Sequence, residues 1–201
     1  MGKQVVITIS RECGSGGRMI ATLISEQLGI EMYDRNMDEA IADEMGLDLD
    51  ELERFEGSSR NRIVSRKVMG YSNSIEDILV EKQEEWLHSK ADLGASFLVI
   101  GRMAENMLKD HPGLIKIFIT GDEDFKVRRI MDVLSVNERE AKERISKVDH
   151  VRRSYHNHYA HHKWGDSRYY DLVINSSKLG LEATAGELVH YIQARIDALE
   201  E

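Results

Sequence analysis

The chain has one cysteine, Cys13, and one proline, Pro112, among 201 residues. A single thiol closes no intramolecular disulfide, which favours a reducing compartment. No Pro/Ser/Gly-rich linker, internal repeat or low-complexity tract divides the chain, so it reads as one domain over 1–201, long enough to bury a real core. Long apolar runs are missing too. The longest, Phe97 to Ile100, is far short of a bilayer span, and the opening MGKQVVITIS turns polar before a signal-peptide run builds. The expected location is the cytoplasm. Basic charge is also scarce: the formal net charge is -9. That excludes a protein that wraps DNA or RNA, because neutralising phosphates needs a basic surface. A small anion is a different matter, since a few arginines make a local positive pocket in an acidic protein.

What is present is an alternation of strands and helices. Val5, Val6, Ile7 and Ile9 form a β-branched run that reads as a buried strand. Ile20, Leu23, Ile24 and Leu28 follow at helical spacing, and Gly29 marks that helix's end. Further strands are expected at Glu31–Tyr33, Phe97–Ile100, Leu114–Thr120 and Leu172–Ile174. Residues 36–94 read as helical throughout, with a polar, basic loop at Gly57–Arg66. Val127, Ile130, Met131 and Leu134 set an apolar stripe on one later helix. Asn137 followed by Glu140 resembles a capping box opening the next, which carries an Arg- and His-rich stretch from Arg144 to Arg168. Leu181, Ala185, Leu188, Ile192, Ile196 and Leu199 make an amphipathic C-terminal helix. This order predicts an α/β fold with a central parallel sheet, whose ligands sit beyond the carboxyl ends of the strands.

The first strand runs into Ser10-Arg11-Glu12-Cys13-Gly14-Ser15-Gly16-Gly17-Arg18, and a helix follows at once. Strand, glycine-rich turn and helix together make a phosphate cradle: glycines let backbone N–H groups turn inward, and the helix N-terminus adds partial positive charge. The segment departs from the G-x-x-x-x-G-K-[ST] pattern. With Gly16 as the second glycine, Arg11 stands at the first, Gly17 replaces the lysine, and Arg18 or Met19 replaces the hydroxyl residue. Arg18 or Arg11 then supplies the charge, through a wider, forked contact than lysine gives.

Several blocks in order carry a resemblance. VVITISRECGSGGRMIATLISEQLGIEMYD, VIGRMAENML, IKIFITGDEDFKVRRI, KVDHVRRSYHNHY and YYDLVINSSKLGLEA resemble the cytidylate-kinase-like family, itself similar to bacterial cytidylate kinases. The match covers most of the chain and is thinnest from Glu39 to Leu93. The resemblance implies a P-loop three-layer fold with five parallel strands, a helical acceptor-binding region over 35–94 and a helical lid over 148–168. It implies ATP with Mg²⁺, the ion held mainly through phosphates and water, and an acceptor such as CMP or dCMP. Arg11, Gly14, Ser15, Gly16, Gly17, Arg18 and Arg128 are the implied donor-site residues, with Arg129 the alternative to Arg128. Arg102, after Gly101 at a strand end, is implied to grip the acceptor phosphate with two parallel hydrogen bonds. Met103 stands where the kinase pattern has aspartate. Asp34 faces the acceptor in the family, and a helix N-cap is its equal alternative. Asp149-His150-Val151-Arg152 resembles the lid's D-x-x-R. Arg152 and Arg153, with Arg18, are implied to stabilise the transferring phosphoryl group, and Asp149 to orient Arg152 from one turn away.

Other features leave alternatives open. His158 and His162 have a spacing that can hold a metal, but no cysteine or H-E-x-x-H pattern accompanies them. A solvated or lid role is therefore expected for His156, His158, His161 and His162, and no protein metal ligand is assigned. Cys13, at a helix N-terminus, is a candidate for a lowered thiol pKa, with passive packing the competing role. The aromatic stretch Trp164–Tyr170 suits base stacking, or a hinge or core. Apolar helix stripes suit a homodimer and core packing alike. The expected partners are nucleotides. Two functions compete with nucleotide kinase: a nucleotide or phospho-ligand sensor without turnover, and a kinase acting on a non-nucleotide acceptor.

Overall fold

The computed structural model describes residues 4–34, 37, 39–41, 67–68, 71–72, 75–101 and 103–200. In chain order the elements are β1 (Val6–Arg11), α1 (Gly17–Leu28), β2 (Glu31–Tyr33), β3 (Lys67–Val68), β4 (Tyr71–Ser72), α2 (Ile75–Asp92), β5 (Phe97–Ile100), α3 (Ala104–Met107), β6 (Leu114–Thr120), α4 (Glu123–Leu134), α5 (Glu138–Tyr159), a 3₁₀ turn (Ser167–Tyr169), β7 (Leu172–Asn175) and α6 (Leu181–Glu200). Five strands form one sheet in the order β2-β5-β1-β6-β7, and every pairing is parallel. This is the expected α/β architecture.

β1 lies at the centre, paired with β5 from Val6↔Phe97 to Ile9↔Ile100 and with β6 from Val6↔Leu114 to Arg11↔Ile119. A strand with neighbours on both edges and layers on both faces reads as a continuous apolar run, which is why Val6, Ile7 and Ile9 are all fully buried. Alternation along the strands feeds two cores. Val6, Phe97 and Val99 pack with Leu79 and Leu87 of α2 and with Ala104 and Met107 of α3. Ile7, Ile9, Leu98 and Ile100 pack on the other face with Ile20 and Ile24 of α1 and Leu188 and Ile192 of α6. The chain leaves β1 toward β2 at one edge and crosses to β6 on the other side, so β1's carboxyl end is the topological switch point where such sheets bind ligands.

Two local expectations change. Residues 67–72 are not helical: β3 and β4 pair antiparallel, Val68↔Tyr71 and Lys67↔Ser72. A β-branched and an aromatic residue separated by two positions, one of them Gly70, is a hairpin signal that competes with helical periodicity. The Gly57–Arg66 loop and most of the helical reading of 36–66 lie outside the described residues. The stripe on α4 is only partly covered, with Val127 buried and Leu134 exposed. Its Ile130 faces a cleft, as described below. Elsewhere the caps match: Gly29 ends α1 in the left-handed region, and Asn137 and Glu140 exchange both bonds of a capping box. Among the described residues no helix is long and apolar enough to cross a membrane.

Candidate functional site

The loop after β1 is held open from behind. Ser15 is fully buried, its hydroxyl donating to the Glu12 carbonyl (2.9 Å), while Ser176 at the end of β7 donates to the Ser15 carbonyl (2.6 Å). Glu12 is clamped by Thr120 Oγ1 (2.7 Å), Lys126 Nζ (2.8 Å) and the Gly121 amide (3.4 Å). Burial pushes the Glu12 carboxyl up, but the bonds from Lys126 and Thr120, with the lysine's charge, outweigh it and hold the group below its ordinary range. Lys126 is therefore part of the loop's scaffold. It lies in the KVRRI block, yet nothing in its spacing signals a partner 114 positions upstream.

Gly16 is the N-cap of α1, with φ 77°, and no side chain caps the helix. The first turn carries no acidic residue, and among the described residues the amides of Gly17, Arg18 and Met19 meet no backbone acceptor. Helices evolved only for packing usually close this end with Ser, Thr, Asp or Asn. Left unclosed, the end presents donors and the positive pole of the helix dipole to the cleft.

Arginines converge beside it. Buried Asp34, just after β2, accepts Arg18 Nε at 3.1 Å and lies 3.9 Å from Arg11 Nη2. The carboxylate thus positions two loop arginines, a role neither of the expectations for Asp34 contained. The Arg11 guanidinium lies against Gly101 where a Cβ would stand, so residue 101 must lack a side chain. Gly101 and Met103 both have positive φ, 73° and 54°. A methionine held there is unusual and marks a constrained turn at the end of β5. Arg102, between them in sequence, lies outside the described residues.

α4 and α5 form the opposite wall. Asp149 Oδ1 accepts the Cys13 amide at 2.7 Å, and Arg152 Nη1 donates to the Arg11 carbonyl at 3.1 Å. Asp149 and Arg152 are 3.9 Å apart. Asp149 thus ties the lid helix to the loop more closely than it holds Arg152, and burial, opposed by the Cys13 amide and Arg152, pushes its carboxyl up. Burial also pushes the Cys13 thiol up, so the nearby helix end does not activate it.

These parts enclose a cleft of about 690 Å³. Arg11, Arg18, Arg129, Arg144, Lys147 and Arg152 line it, as do Gly14, Gly16 and Gly17. Ser15 faces away. Arg128 is exposed, bonds to the Asp124 carbonyl of its own helix and does not line the cleft, whereas Arg129 does. Arg153 is exposed and stacks over Trp164, 5.6 Å from the ring centroid. Trp164 packs on Phe118 and, with Tyr170, serves the core as well as the cleft wall. Sequence reasoning passed over Arg144 and Lys147. The signal was there: Arg144, Lys147, Val148, Val151, Arg152 and Tyr155 recur at helical spacing, which puts them on one face of α5.

The histidines divide differently from their spacing. His158 is exposed beside Tyr159, while His156 is buried with Nε2 3.0 Å from Glu105 Oε1. Ser10 and Tyr170 hydroxyls lie 3.4 Å from the same oxygen. His162 packs edge-on to His156 and stacks on Tyr169. Burial, then the neighbouring His156, lowers its pKa, which keeps the ring neutral.

A model of the cytidylate kinase-like family matches residues 6–178. Among solved structures, the chain is similar to an uncharacterized protein from Eubacterium ventriosum ATCC 27560, with 30% identity and a TM-score of 0.75 over 94% of this chain and 99% of that one. It shares its fold with shikimate kinase from Bacteroides thetaiotaomicron (15% identity, TM-score 0.55, 94% and 98% covered). The same holds for shikimate kinase from Aquifex aeolicus (16% identity, TM-score 0.50, 98% and 100% covered). No curated protein matches.

Proposed function

The chain belongs to the cytidylate kinase-like family, and on that premise we propose that it moves the terminal phosphoryl group of ATP onto a nucleoside monophosphate, with CMP or dCMP the first acceptors to test. The observation that carries this reading is the uncapped N-terminus of α1 opening into a cleft lined by six basic side chains, Arg11, Arg18, Arg129, Arg144, Lys147 and Arg152. In this reading the Gly14–Arg18 amides take the donor phosphates, and Asp34 fixes Arg18 and Arg11 between donor and acceptor. Arg102 grips the acceptor phosphate, the 35–94 region encloses that acceptor, and the 148–168 segment closes as a lid. Arg152 bears on the transferring group, with Arg153 joining it on release from Trp164. Such a transfer needs no covalent enzyme intermediate, because positioning and charge lower the barrier.

The cleft fits a polyphosphate better than it fits a directly bound Mg²⁺. The two carboxylates lining it, Glu12 and Asp34, already bind Lys126 and Arg18. Mg²⁺, which neutralises phosphate charge, is therefore assigned to the phosphates and water. Gly17 at the lysine position favours a second reading, a protein that binds nucleotide without turning it over. The test is to incubate the protein with Mg-ATP and a panel of nucleoside monophosphates and follow ADP and nucleoside diphosphate. Both should appear with a cytidine nucleotide. ATP-induced thermal stabilisation without ADP, across the whole panel, would establish the second reading instead.

A further inference from the structure

Beside the cleft, behind Ser10, three side chains from distant segments face one another: Glu105 of α3, His156 of α5 and His162 of the loop that follows. Each offers a ligand atom, and the three atoms lie within 4.8 Å of one another. Glu105 and His156 are 2% and 3% exposed, so this is an enclosed site rather than a surface cluster. Three polar atoms in it have no hydrogen-bond partner: Glu105 Oε2, His156 Nδ1 and His162 Nε2. Buried polar atoms are nearly always paired, and each one left unpaired carries its full desolvation penalty. Three such atoms on three adjoining side chains therefore call for a missing partner.

We propose that Glu105, His156 and His162 bind one transition-metal dication of the zinc class. Two imidazoles and a carboxylate form a donor set suited to such an ion and poorly suited to magnesium, which takes oxygen ligands. His156 Nε2 and Glu105 Oε1 stand 3.0 Å apart, as two ligands of one ion do when its bonds are about 2.1 Å long. His162 closes the set by a small ring movement from its stack on Tyr169. Three protein ligands leave a further position for water. The Ser10 and Tyr170 hydroxyls, both 3.4 Å from Glu105 Oε1, supply the outer hydrogen bonds that orient a ligating carboxylate.

The ion's place in the fold gives it a structural role. It joins α3, which follows the constrained Gly101–Met103 turn, to the end of the helix that carries Asp149 and Arg152. It thus fastens the base of the lid to the sheet, whether or not the cleft transfers phosphate. The test uses the full chain, stripped with chelator and titrated with zinc chloride or cobalt chloride. The expected result is about one equivalent bound, a raised Tm, and visible cobalt absorption of a nitrogen- and oxygen-ligated site. His162→Ala, at a half-buried position that tolerates truncation, lowers zinc affinity about tenfold or more, while His158→Ala at the exposed neighbour leaves it unchanged. Glu105→Gln repeats the loss without changing side-chain size. The proposal is overturned if the stripped chain takes up no zinc. It is equally overturned if His162→Ala binds zinc as tightly as the parent, or if His158→Ala loses as much as His162→Ala.

Discussion

Two constraints meet at Gly16. Its φ of 77° belongs to the left-handed region, and a Cβ there would collide with Leu181 at the start of α6. Alanine would therefore strain the backbone and push the C-terminal helix away from the loop. Gly16→Ala should lower stability by roughly 2–4 kcal/mol. Thermal unfolding should show this as a Tm fall of roughly 5–15 °C, with loss of the stabilisation that Mg-ATP confers. A variant that keeps both Tm and the ATP shift would mean the loop tolerates rearrangement and is not a preset cradle. Glu12 makes a different prediction at the same scale. Its carboxyl is held below the ordinary value of 4.5, so it is more acidic folded than unfolded. Its contribution is complete above that value and disappears as pH falls through the lowered one. Glu12→Gln should lower neutral-pH stability by about 1–3 kcal/mol. The variant should also lose less stability than the parent between neutral pH and the acid range, as denaturant titrations across pH would show. None of this was legible in the sequence. Glu12 reads as one polar residue in a glycine-rich loop, and its partners Thr120 and Lys126 arrive only when β6 and α4 are laid beside β1.

α5 shows which parts of an element a sequence carries and which it withholds. Its start is written locally, because Asn137 and Glu140 satisfy each other's backbone within one turn. Its cleft-facing side is written in spacing, from Arg144 through Arg152 to Tyr155. What it docks on is not written there: Asp149 meets the Cys13 amide and Arg152 the Arg11 carbonyl, contacts 136 and 141 positions apart. Hence the intrahelical pairing expected for Asp149 and Arg152 gives way to contacts with the loop. The β3–β4 pair failed for the converse reason, since two-residue strands are too short for periodicity to register. If α5 serves as the lid, removing its inward guanidinium should affect turnover far more than folding. Arg152→Ala should lower kcat about a hundredfold or more, as loss of a transition-state donor does. Its Tm should stay close to the parent's, because the lost bond is one half-buried contact. Equal losses in Tm and kcat would reduce Arg152 to a strut.

At the scale of the whole molecule, strand order and charge act together. The order β2-β5-β1-β6-β7 was legible as a parallel α/β sheet because each buried strand is a short β-branched run between helices, and every pairing is local to that plan. It brings the ends of β1, β2 and β5 to one edge, where the loop, Asp34 and Gly101 meet. The protein as a whole carries a net charge of -9, yet this edge opens into a cleft lined by Arg11, Arg18, Arg129, Arg144, Lys147 and Arg152. The two facts predict opposite responses to salt. If the global charge governed an incoming polyphosphate, screening would relieve repulsion and tighten binding. If the cleft's own field governs, screening weakens binding, because the attraction is short-ranged and survives only while the Debye length, about 10 Å at 0.1 M and about 3 Å at 1 M, spans the cleft. The enclosed cations lie within that distance of a ligand seated on α1, while most of the acidic surface lies farther away. Mg-ATP affinity measured by calorimetry should therefore fall roughly tenfold or more between 0.1 M and 1 M salt. Arg144→Ala combined with Lys147→Ala should bind more weakly at 0.1 M and show a flatter salt dependence, since those two cations face the ligand from α5 without anchoring the loop. Binding that tightens with salt would mean the acidic exterior controls access, and the positive cleft would then lose its standing as the phosphate site.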